Sequence, residues 1–261
     1  MGILNVTPDS FADGGRHSGA DRAVDAGAQM VLDGADIVDV GGESTRPGAE
    51  PLPEDEELRR VIPVVERLAR RVTVPISIDT YKARVAREAI AAGASIVNDV
   101  SGLQYEPELG GVAGSTGAAL VLMHTRGRSD DMYGRAVYAD VVAEVCGELR
   151  EAMARAEAAG VARDAVILDP GIGFAKRPEH SFAVLARLHD LAELDRPILS
   201  GPSRKSFLRS AIGDVPPDAR EWGTAAAVTA SVLAGAHIVR VHGVRAMRDV
   251  VRVADAVLAS R

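Results

Sequence analysis

Two adjacent cations, Arg204 and Lys205, stand in the segment GPSRKSF, residues 201–207, directly after an apolar run. The chain around them is acidic, with a formal net charge of −7. Charged N–H donors of this kind make short, strong hydrogen bonds to phosphate and carboxylate oxygens. For Arg204 the sequence leaves two interpretations open, an ion pair with a neighbouring carboxylate and a contact with a ligand. The segment therefore predicts an anion site close to residue 205.

Polar residues of similar kinds stand at or beside the end of every short apolar run in the chain. They are Asn5, then Glu43, Ser44, Thr45 and Arg46, then Asp79, Asn98, Asp99, His124 and Asp169, then Ser203 with the two cations, and finally Arg240 and His242. One polar residue after a run needs no explanation, because loops are solvated, but the same pattern after all eight runs is harder to explain that way. Carboxylates, amides and cations together match a ligand that has an anionic part and a heterocycle rich in hydrogen-bond donors and acceptors.

The eight runs read as short β-strands separated by helical segments. They cover residues 3–6, 34–40, 74–78, 93–100, 119–123, 165–168, 197–199 and 235–241. The segments between them carry apolar residues at helical spacing, as Val61, Val65 and Leu68 do, and three runs start at a glycine that can end a helix. Eight alternating β and α units predict an α/β fold, a (β/α)8 TIM barrel, in a single domain over residues 1–261. In that architecture the carboxyl ends of the strands converge, so we expect the polar residues to meet there.

Composition and charge narrow the classes of function. Lysine and arginine are interleaved with aspartate and glutamate in a chain that is acidic overall, which argues against nucleic acid as a partner. We find no run of about 18 apolar residues and no cationic leader, and therefore expect no membrane partner and a cytoplasmic location. The single cysteine, Cys146, lies among apolar residues at helical spacing and is expected in the core.

Eight segments resemble, in order, those of the dihydropteroate synthases, a family of pterin-binding enzymes. The segments are MGILNVTPDSFADGG, GGESTRPGA, SIDTYK, IVNDVSG, LMH, DPGIGFAK, SRKSF and IVRVH, and the resemblance covers essentially the whole chain. Any one of them is modest evidence, whereas the ordered set on the ends of the right strands is specific. The resemblance implies condensation of 6-hydroxymethyl-7,8-dihydropterin diphosphate with 4-aminobenzoate to give 7,8-dihydropteroate and diphosphate, assisted by Mg²⁺. It also implies a homodimer.

The resemblance gives pterin binding to five residues. They are Asp79, Asn98, Met123, Asp169 and Lys205. A pterin edge has an amidine-like pattern of donors and acceptors, which carboxylates and an amide can match. Simpler interpretations stay open for two of them, since Asp79 could cap the following helix and Asp169 could be a turn residue before Pro170.

A catalytic role is expected for Asp79, Lys205 and Arg240. A buried carboxylate at position 79 would oppose the positive charge that grows on the pterin methylene as diphosphate leaves. The resemblance places the diphosphate beside Asn5, Arg240 and His242, with Asn5 as a ligand of Mg²⁺. Arginine offers a planar fork for phosphate oxygens, and His242, two residues further along an extended strand, faces the same side.

The aminobenzoate pocket implied by the resemblance is built from loop residues. They are Phe11, Thr45, Pro47, Phe174 and Ser206. Free N–H groups at a helix start near residue 206 favour a carboxylate there. Two glycine-rich loops, residues 7–15 and 41–48, are expected to close over the site, with Asp9, Asp13 and Arg46 among the residues of closure.

Two residues depart from the pattern of the family. Gly243 stands where an aspartate is common, and Pro202 where a small or aliphatic residue is more usual. The loss of a carboxylate near the diphosphate bears on efficiency or metal affinity more than on the type of reaction.

Two other functions remain open at this stage. A methyltetrahydrofolate-dependent methyltransferase barrel shares the carboxylate and amide pattern but does not need the anion site of Lys205, Arg240 and His242, so release of diphosphate distinguishes it. A non-catalytic barrel that only binds a pterin is the second alternative. The presence of Asn5 and Asp79 together with that anion site argues against it.

Overall fold

Strands and helices alternate along the chain in a computed structural model that describes residues 1–7, 16–44 and 48–260, with no side-chain description for residues 16–18. The strands are β1 (Gly2–Asn5), β2 (Val38–Gly41), β3 (Ile76–Asp79), β4 (Ile96–Asp99), β5 (Ala119–Met123), β6 (Val166–Asp169), β7 (Leu199–Ser200) and β8 (Ile238–Val239). The helices are α1 (Arg16–Leu32), α2 (Glu54–Ala69), α3 (Ala83–Ala91), α4 (Glu108–Thr116), α5 (Val141–Ala158), α6 (Pro178–Ala186), α7 (Arg209–Ile212), α8 (Glu221–Leu233) and α9 (Val244–Leu258). Short 3-10 turns cover Arg163–Ala165, Leu188–Leu194, Ser206–Leu208 and Pro217–Arg220.

The strands are parallel and pair in chain order. β1 to β6 form one sheet in which each strand is hydrogen-bonded to the next, and β7 pairs with β8. Single bridges join the two sheets at both seams, one between Leu168 and Ile198 and one between Gly2 and Val241. The order of neighbours therefore returns to β1, which confirms the predicted (β/α)8 architecture.

Each strand directs alternate side chains to the inside of this ring. A cluster of apolar residues fills one level of the interior and includes Ile37, Ile96, Val121, Ile167 and Ile238. Two residues further along the chain from these come Asp39, Asn98, Met123, Asp169 and Arg240. Because residues two apart on a strand face the same side, the second set forms the next level of the interior, at the carboxyl ends of the strands. An apolar layer thus supports a polar one.

The helices cover the outside of the ring around a larger apolar core. Val61, Val65 and Leu68 of α2 are fully buried, as their helical spacing predicts, and Cys146 of α5 is buried as well. The glycine at position 93 follows α3 with a φ of 117°, the left-handed conformation that ends a helix at little cost only for glycine.

None of the described helices is long and apolar enough to cross a membrane.

Candidate active site

One arginine lies between two carboxylates at the carboxyl end of the ring. Arg240 Nε donates to Asp39 Oδ2 at 2.6 Å, and its Nη2 donates to Asp79 Oδ2 at 2.6 Å. The side chain of Asp39 is 0 % exposed, and Asn98 Nδ2 donates to its Oδ2 at 3.1 Å. Among the described residues nothing donates to the other oxygens, Asp39 Oδ1 and Asp79 Oδ1. Two buried carboxylates therefore share one cation, and each keeps an acceptor that suits the N–H groups of a ligand.

Burial and neighbouring charges set the ionisation of this cluster. Burial raises the pKa of Asp79 to about 7, although the Arg240 guanidinium opposes the rise; the Asp39 carboxylate adds to it. For Arg240 burial favours the neutral form, but the two carboxylates outweigh it and raise the pKa above its ordinary value. The guanidinium thus stays charged, and Asp79 is the group that changes its charge near neutral pH. Such a shift in a buried cluster is typical of functional sites.

Asp169 and Lys205 converge on the space beside Gly201. A Cβ atom at position 201 would lie 3.9 Å from Asp169 Oδ2, 4.0 Å from Lys205 Nζ and 3.9 Å from Arg240 Cβ, so the glycine leaves this space open. Burial raises the pKa of Asp169, and the Lys205 ammonium opposes that rise. Burial lowers the pKa of Lys205 to about 8, against the effect of Asp169. Asp169 Oδ1 also accepts from the Gly171 amide at 2.7 Å, so it is a turn residue as well as a pocket residue.

Lys205 also forms one wall of the pocket together with an aromatic ring. Its Nζ donates to the carbonyl oxygen of Ile172 and lies 4.4 Å from the centre of the Phe174 ring. Met123 is buried at the end of β5, and Ser206 is exposed at the first position of its 3-10 turn. The arrangement offers a cation, a flat ring and a hydroxyl on one side of the cavity, which suits an aromatic carboxylate.

The three residues expected at the diphosphate lie at or just beyond strand ends. Asn5 is in register with Gly41, which in turn is in register with Asp79, so Asn5 and Asp79 share one level of the barrel. His242 lies two residues after Arg240, and its Nδ1 lies 2.9 Å from Ser203 Oγ. The Asp39 and Asp79 bonds use Nε and Nη2 of Arg240, which leaves its Nη1 donors without a hydrogen bond among the described residues.

The donor set limits the kind of metal site that can form here. Across residues 1–7, 16–44 and 48–260 no group of three or more His, Cys, Asp or Glu side chains could hold a metal ion. Asn5 supplies one amide oxygen, and Mg²⁺ is commonly held by one or two protein ligands, several waters and the phosphates of a substrate. The residues fit Mg²⁺ that binds chiefly through a diphosphate.

The structure decides between the interpretations that the sequence left open for Arg204 and Asp79. Arg204 forms ion pairs with Asp218 at 2.9 Å and Glu221 at 3.3 Å, so of the two adjacent cations Lys205 alone points into the pocket. The N-cap position of α3 is Lys82, and the Asp79 carboxylate contacts Arg240, so the capping interpretation of Asp79 is wrong.

Gly243 has a local explanation in the described structure. A Cβ atom at this position would come within 2.2 Å of Glu221 Oε1. The Glu221 carboxylate therefore occupies the space next to residue 243, and an aspartate there would also meet a like charge.

Sequence reasoning missed three buried ionisable residues near the site. Asp39 follows Ile37 at the spacing of two that brings strand residues to one face, and that alternation could have identified it. Lys82 donates to carboxylates of Glu43 and Glu57, and to the carbonyl oxygen of Leu52 at 2.7 Å, at the base of the loop between β2 and α2.

The third missed residue is Lys176, whose side chain is almost fully buried behind the loop after β6. The chain has only three lysines, and all three lie at the carboxyl end of the barrel. That scarcity was the one signal that could have drawn attention to it.

Six of the residues expected in the site fall outside the described part of the chain. They are Asp9, Phe11, Asp13, Thr45, Arg46 and Pro47.

Comparison with known proteins places the chain in a class. Residues 1–242 match the family described as pterin binding enzyme, and the chain belongs to that family. The sequence is 46% identical over 258 residues to the dihydropteroate synthase of Bacillus subtilis, covering 99% of this chain and 88% of that protein. It is 45% identical over 261 residues to the dihydropteroate synthase of Escherichia coli K12, covering 100% of this chain and 92% of that protein.

Solved structures give the same result for the fold. The dihydropteroate synthase of Xanthomonas albilineans with 4-aminobenzoic acid superposes with a TM-score of 0.93 at 44% identity, covering 99% of this chain and 92% of that chain. A second structure from that organism, in complex with 7,8-dihydropteroate, superposes with a TM-score of 0.89 at 41% identity, covering 99% of this chain and 93% of the other.

Proposed function

We propose that this chain is a dihydropteroate synthase, which joins 6-hydroxymethyl-7,8-dihydropterin diphosphate to 4-aminobenzoate and releases diphosphate, in folate biosynthesis. The observation that carries the proposal is the convergence of Asp79, Asp169, Lys205 and Arg240 at the carboxyl end of the barrel. This cluster joins acceptors for a heterocycle to cations for an anion in one pocket. The identity to proteins of that name over nearly the whole chain supports the same reaction.

The pterin binds in the inner part of the pocket. Asp169 and Asn98 face its edge, with Met123 and the Lys205 stem against its ring. Carboxylate oxygens accept from pterin N–H groups, and the Asn98 amide can both donate and accept, which matches an edge that alternates the two. A ring held in this way places its exocyclic methylene near Asp79 and Arg240.

The leaving diphosphate binds at the mouth of the ring, beside Asn5, Arg240 and His242. Arg240 keeps Nη1 donors for phosphate oxygens while its other nitrogens contact carboxylates. Mg²⁺ bound at Asn5 and the phosphates would neutralise charge on the departing group. The ionised Asp79 stabilises positive charge on the pterin methylene as the carbon–oxygen bond lengthens.

4-Aminobenzoate enters last and attacks the methylene carbon. Its ring lies against Phe174 and its carboxylate meets Ser206 and the cation at position 205. The resemblance to the synthases gives the rest of this pocket to Thr45, Pro47 and Phe11, and it implies loop closure through Asp9, Asp13 and Arg46 that would exclude water from the cationic pterin. The nucleophile is an amine of low basicity, so the attack needs no protein base. The substitution is dissociative, with cleavage ahead of bond formation.

Formation of product tests the reaction directly. The protein is incubated with the pterin diphosphate and 4-aminobenzoate, with and without Mg²⁺, and dihydropteroate and diphosphate are measured together. We expect equal amounts of both. Diphosphate release without dihydropteroate, or neither product, would contradict the proposal.

Titration of 4-aminobenzoate tests the order of binding. Heat is measured with the free protein, with diphosphate and Mg²⁺ present, and with a pterin added as well. We expect binding only when diphosphate and pterin are present, and tight binding to the free protein would show that the loops do not build the pocket.

We also propose a cytoplasmic location, and a homodimer, which the resemblance to the synthases implies. Light scattering coupled to size-exclusion chromatography gives the mass in solution, and a mass near 27.3 kDa, that of one chain, would contradict the dimer.

A further inference from the structure

Lys176 is a buried cation that the proposed reaction does not use. Its side chain is 1 % exposed, and its Nζ lies 2.8 Å from His124 Nδ1 and donates to the carbonyl oxygen of Phe174 at 3.2 Å. The described residues give it no ion pair with a carboxylate. An ammonium buried in this way is costly unless its donors are satisfied and another charge compensates it. Burial accordingly lowers the pKa of Lys176 to about 7, so the ammonium form dominates below that pH.

His124 connects the lysine to a carboxylate on α5. The histidine Nε2 lies 3.0 Å from Glu148 Oε2, and Arg126 Nε donates to Glu148 Oε1 at 2.9 Å. Burial and the Lys176 ammonium lower the pKa of His124 to about 4, so the ring is neutral and has one proton. With Nδ1 accepting from the lysine, that proton lies on Nε2 and is donated to Glu148. The three residues form a continuous chain from the partly exposed Glu148 on α5 to the interior.

This chain ends beneath the turn that carries two residues of the pocket. The His124 amide donates to the carbonyl oxygen of Asp169 at 2.9 Å. Gly171 has a φ of 66°, and a Cβ atom there would lie 1.9 Å from the His124 carbonyl oxygen and 3.5 Å from Lys176 Nζ. The turn from Asp169 to Phe174 therefore packs directly on His124 and Lys176.

We propose that Lys176, held by His124 and Glu148, is a positioning residue that fixes the Phe174 carbonyl and provides a second cation behind the Asp169 carboxylate for pterin binding. The pterin as ligand rests on the proposed function. The groups that face Asp169 with charge are Lys205 from the loop after β7, Arg240 from the end of β8 and Lys176 itself, in addition to the Gly171 amide. Lys176 thus acts on the ligand through Asp169 and Phe174.

Substitution of Lys176 should weaken pterin binding and shift the pH at which binding is lost. Lys176→Met removes the charge while filling similar space, and it removes the cost of burying an ammonium, so we expect the fold to persist. Asp169 then loses one of the cations that oppose the effect of burial on its pKa. Asp169 therefore takes up a proton at a higher pH than in the parent protein. As the pH is lowered, the variant should lose pterin binding at a higher pH than the parent does.

Calorimetric titration of the pterin diphosphate, without aminobenzoate, measures both effects and needs no turnover. At pH 6, where Lys176 is mostly protonated and His124 is neutral, we expect Lys176→Met to bind at least about tenfold more weakly, the factor typical of losing a charge-assisted hydrogen bond. Glu148→Gln should give a smaller loss of about threefold, since it weakens only the support of the histidine. Arg187→Met removes a surface cation directly after α6, which pairs with Asp140 and Asp190, and should bind like the parent protein.

The outcomes separate this inference from the proposed reaction. A folded Lys176→Met protein with the affinity and pH profile of the parent would overturn it. If that variant does not fold, Glu148→Gln decides, and parental binding in that variant overturns the inference. Absence of dihydropteroate in the parent, with pterin binding intact, would contradict only the reaction.

Discussion

The ion pairs on the helices and those inside the ring use the same chemical groups with different consequences. Arg84 on α3, whose side chain is 51 % exposed, bridges to Glu54 at 3.0 Å and Asp55 at 2.7 Å on α2. Arg240 makes two bonds of similar length, but its partner Asp39 is 0 % exposed. Exposed pairs contribute about 0–1 kcal/mol, whereas loss of one partner from a buried pair costs about 3–5 kcal/mol. Burial, more than bond length, therefore decides how much an ion pair contributes to the stability of this protein.

The largest expected effect follows from removing the guanidinium of Arg240, whose side chain is largely buried at 19 % exposure. Arg240→Met leaves two buried carboxylates without a cation, so the free energy of unfolding should fall by about 3–5 kcal/mol and turnover should be lost. Urea denaturation and the product assay measure the two effects. As a matched control, adding Asp39→Asn to the variant should recover part of the stability and none of the turnover. An unfolding free energy equal to that of the parent would show that water stabilises the two carboxylates as well as the guanidinium does.

The cluster around Lys82 should respond less strongly. Lys82→Met isolates the carboxylates of Glu43 and Glu57, but burial raises the pKa of Glu57, so this group can take up a proton in place of the lost cation. We expect a loss of about 2–3 kcal/mol in urea denaturation. The double variant with Glu57→Gln should be more stable than the single one. A double variant that is less stable would mean that the lysine acts through packing alone.

Substitution of the carboxylate at position 79 should affect chemistry more than stability. Asp79→Asn keeps the size of the side chain but removes the negative charge that we propose to lie near the pterin methylene, so turnover should fall at least about tenfold, or about 1.4 kcal/mol of barrier. Stopped-flow or steady-state assays of dihydropteroate measure it. A variant with parental turnover would exclude the electrostatic role.

The pH dependence gives the same group a second signature. Because burial raises the pKa of Asp79 to about 7 from its ordinary value of 3.8, the folded state binds this proton more tightly than the unfolded state. Its contribution to stability is therefore present below pH 3.8 and is lost as pH rises to about 7, where the ionised form becomes able to support turnover. We expect parental turnover to rise as pH increases through about 7, and this limb to be absent in Asp79→Asn. Identical pH profiles for the two proteins would assign the limb to another group.

The smallest effect is expected on the outer surface. Arg84→Met should change the free energy of unfolding by less than about 1 kcal/mol and leave turnover as it is, because water screens the pair it removes. The same urea and product assays apply. A loss as large as that of Lys82→Met would contradict the distinction between the two regions.

Period-two and helical patterns predicted much of the architecture before any coordinates. The alternation that places Ile37 and Asp39 on one face is local, so strand positions and the inward direction of their side chains follow from sequence. The pairing of Arg240 with Asp39 and Asp79 joins residues far apart in sequence and depends on the closed order of strands. Patterns of residues close in sequence therefore cannot predict this pairing.

Two residues adjacent in sequence can also point in opposite directions, and no local pattern predicts which one enters the pocket. Arg204 has a φ of 58°, which turns it away from the pocket toward α8, while Lys205 points inward. The buried position of Lys176 depends on a hydrogen bond to His124, 52 residues away. The resemblance to the synthases predicted ligand contacts, whereas the buried residues Asp39, Lys82 and Lys176 emerge only from the packing of the fold.

The contact between the first and last strands affects the order in which parts of the protein fold. The bridge from Gly2 to Val241 lies one residue beyond Arg240, whose partners Asp39 and Asp79 are 201 and 161 positions away in sequence. Contacts this distant form late in folding, since the entropy of closing a long loop must be overcome first. In refolding experiments the helical circular dichroism signal should therefore return before catalytic competence. The rate at which turnover recovers would then measure the rate of the final closure of the barrel.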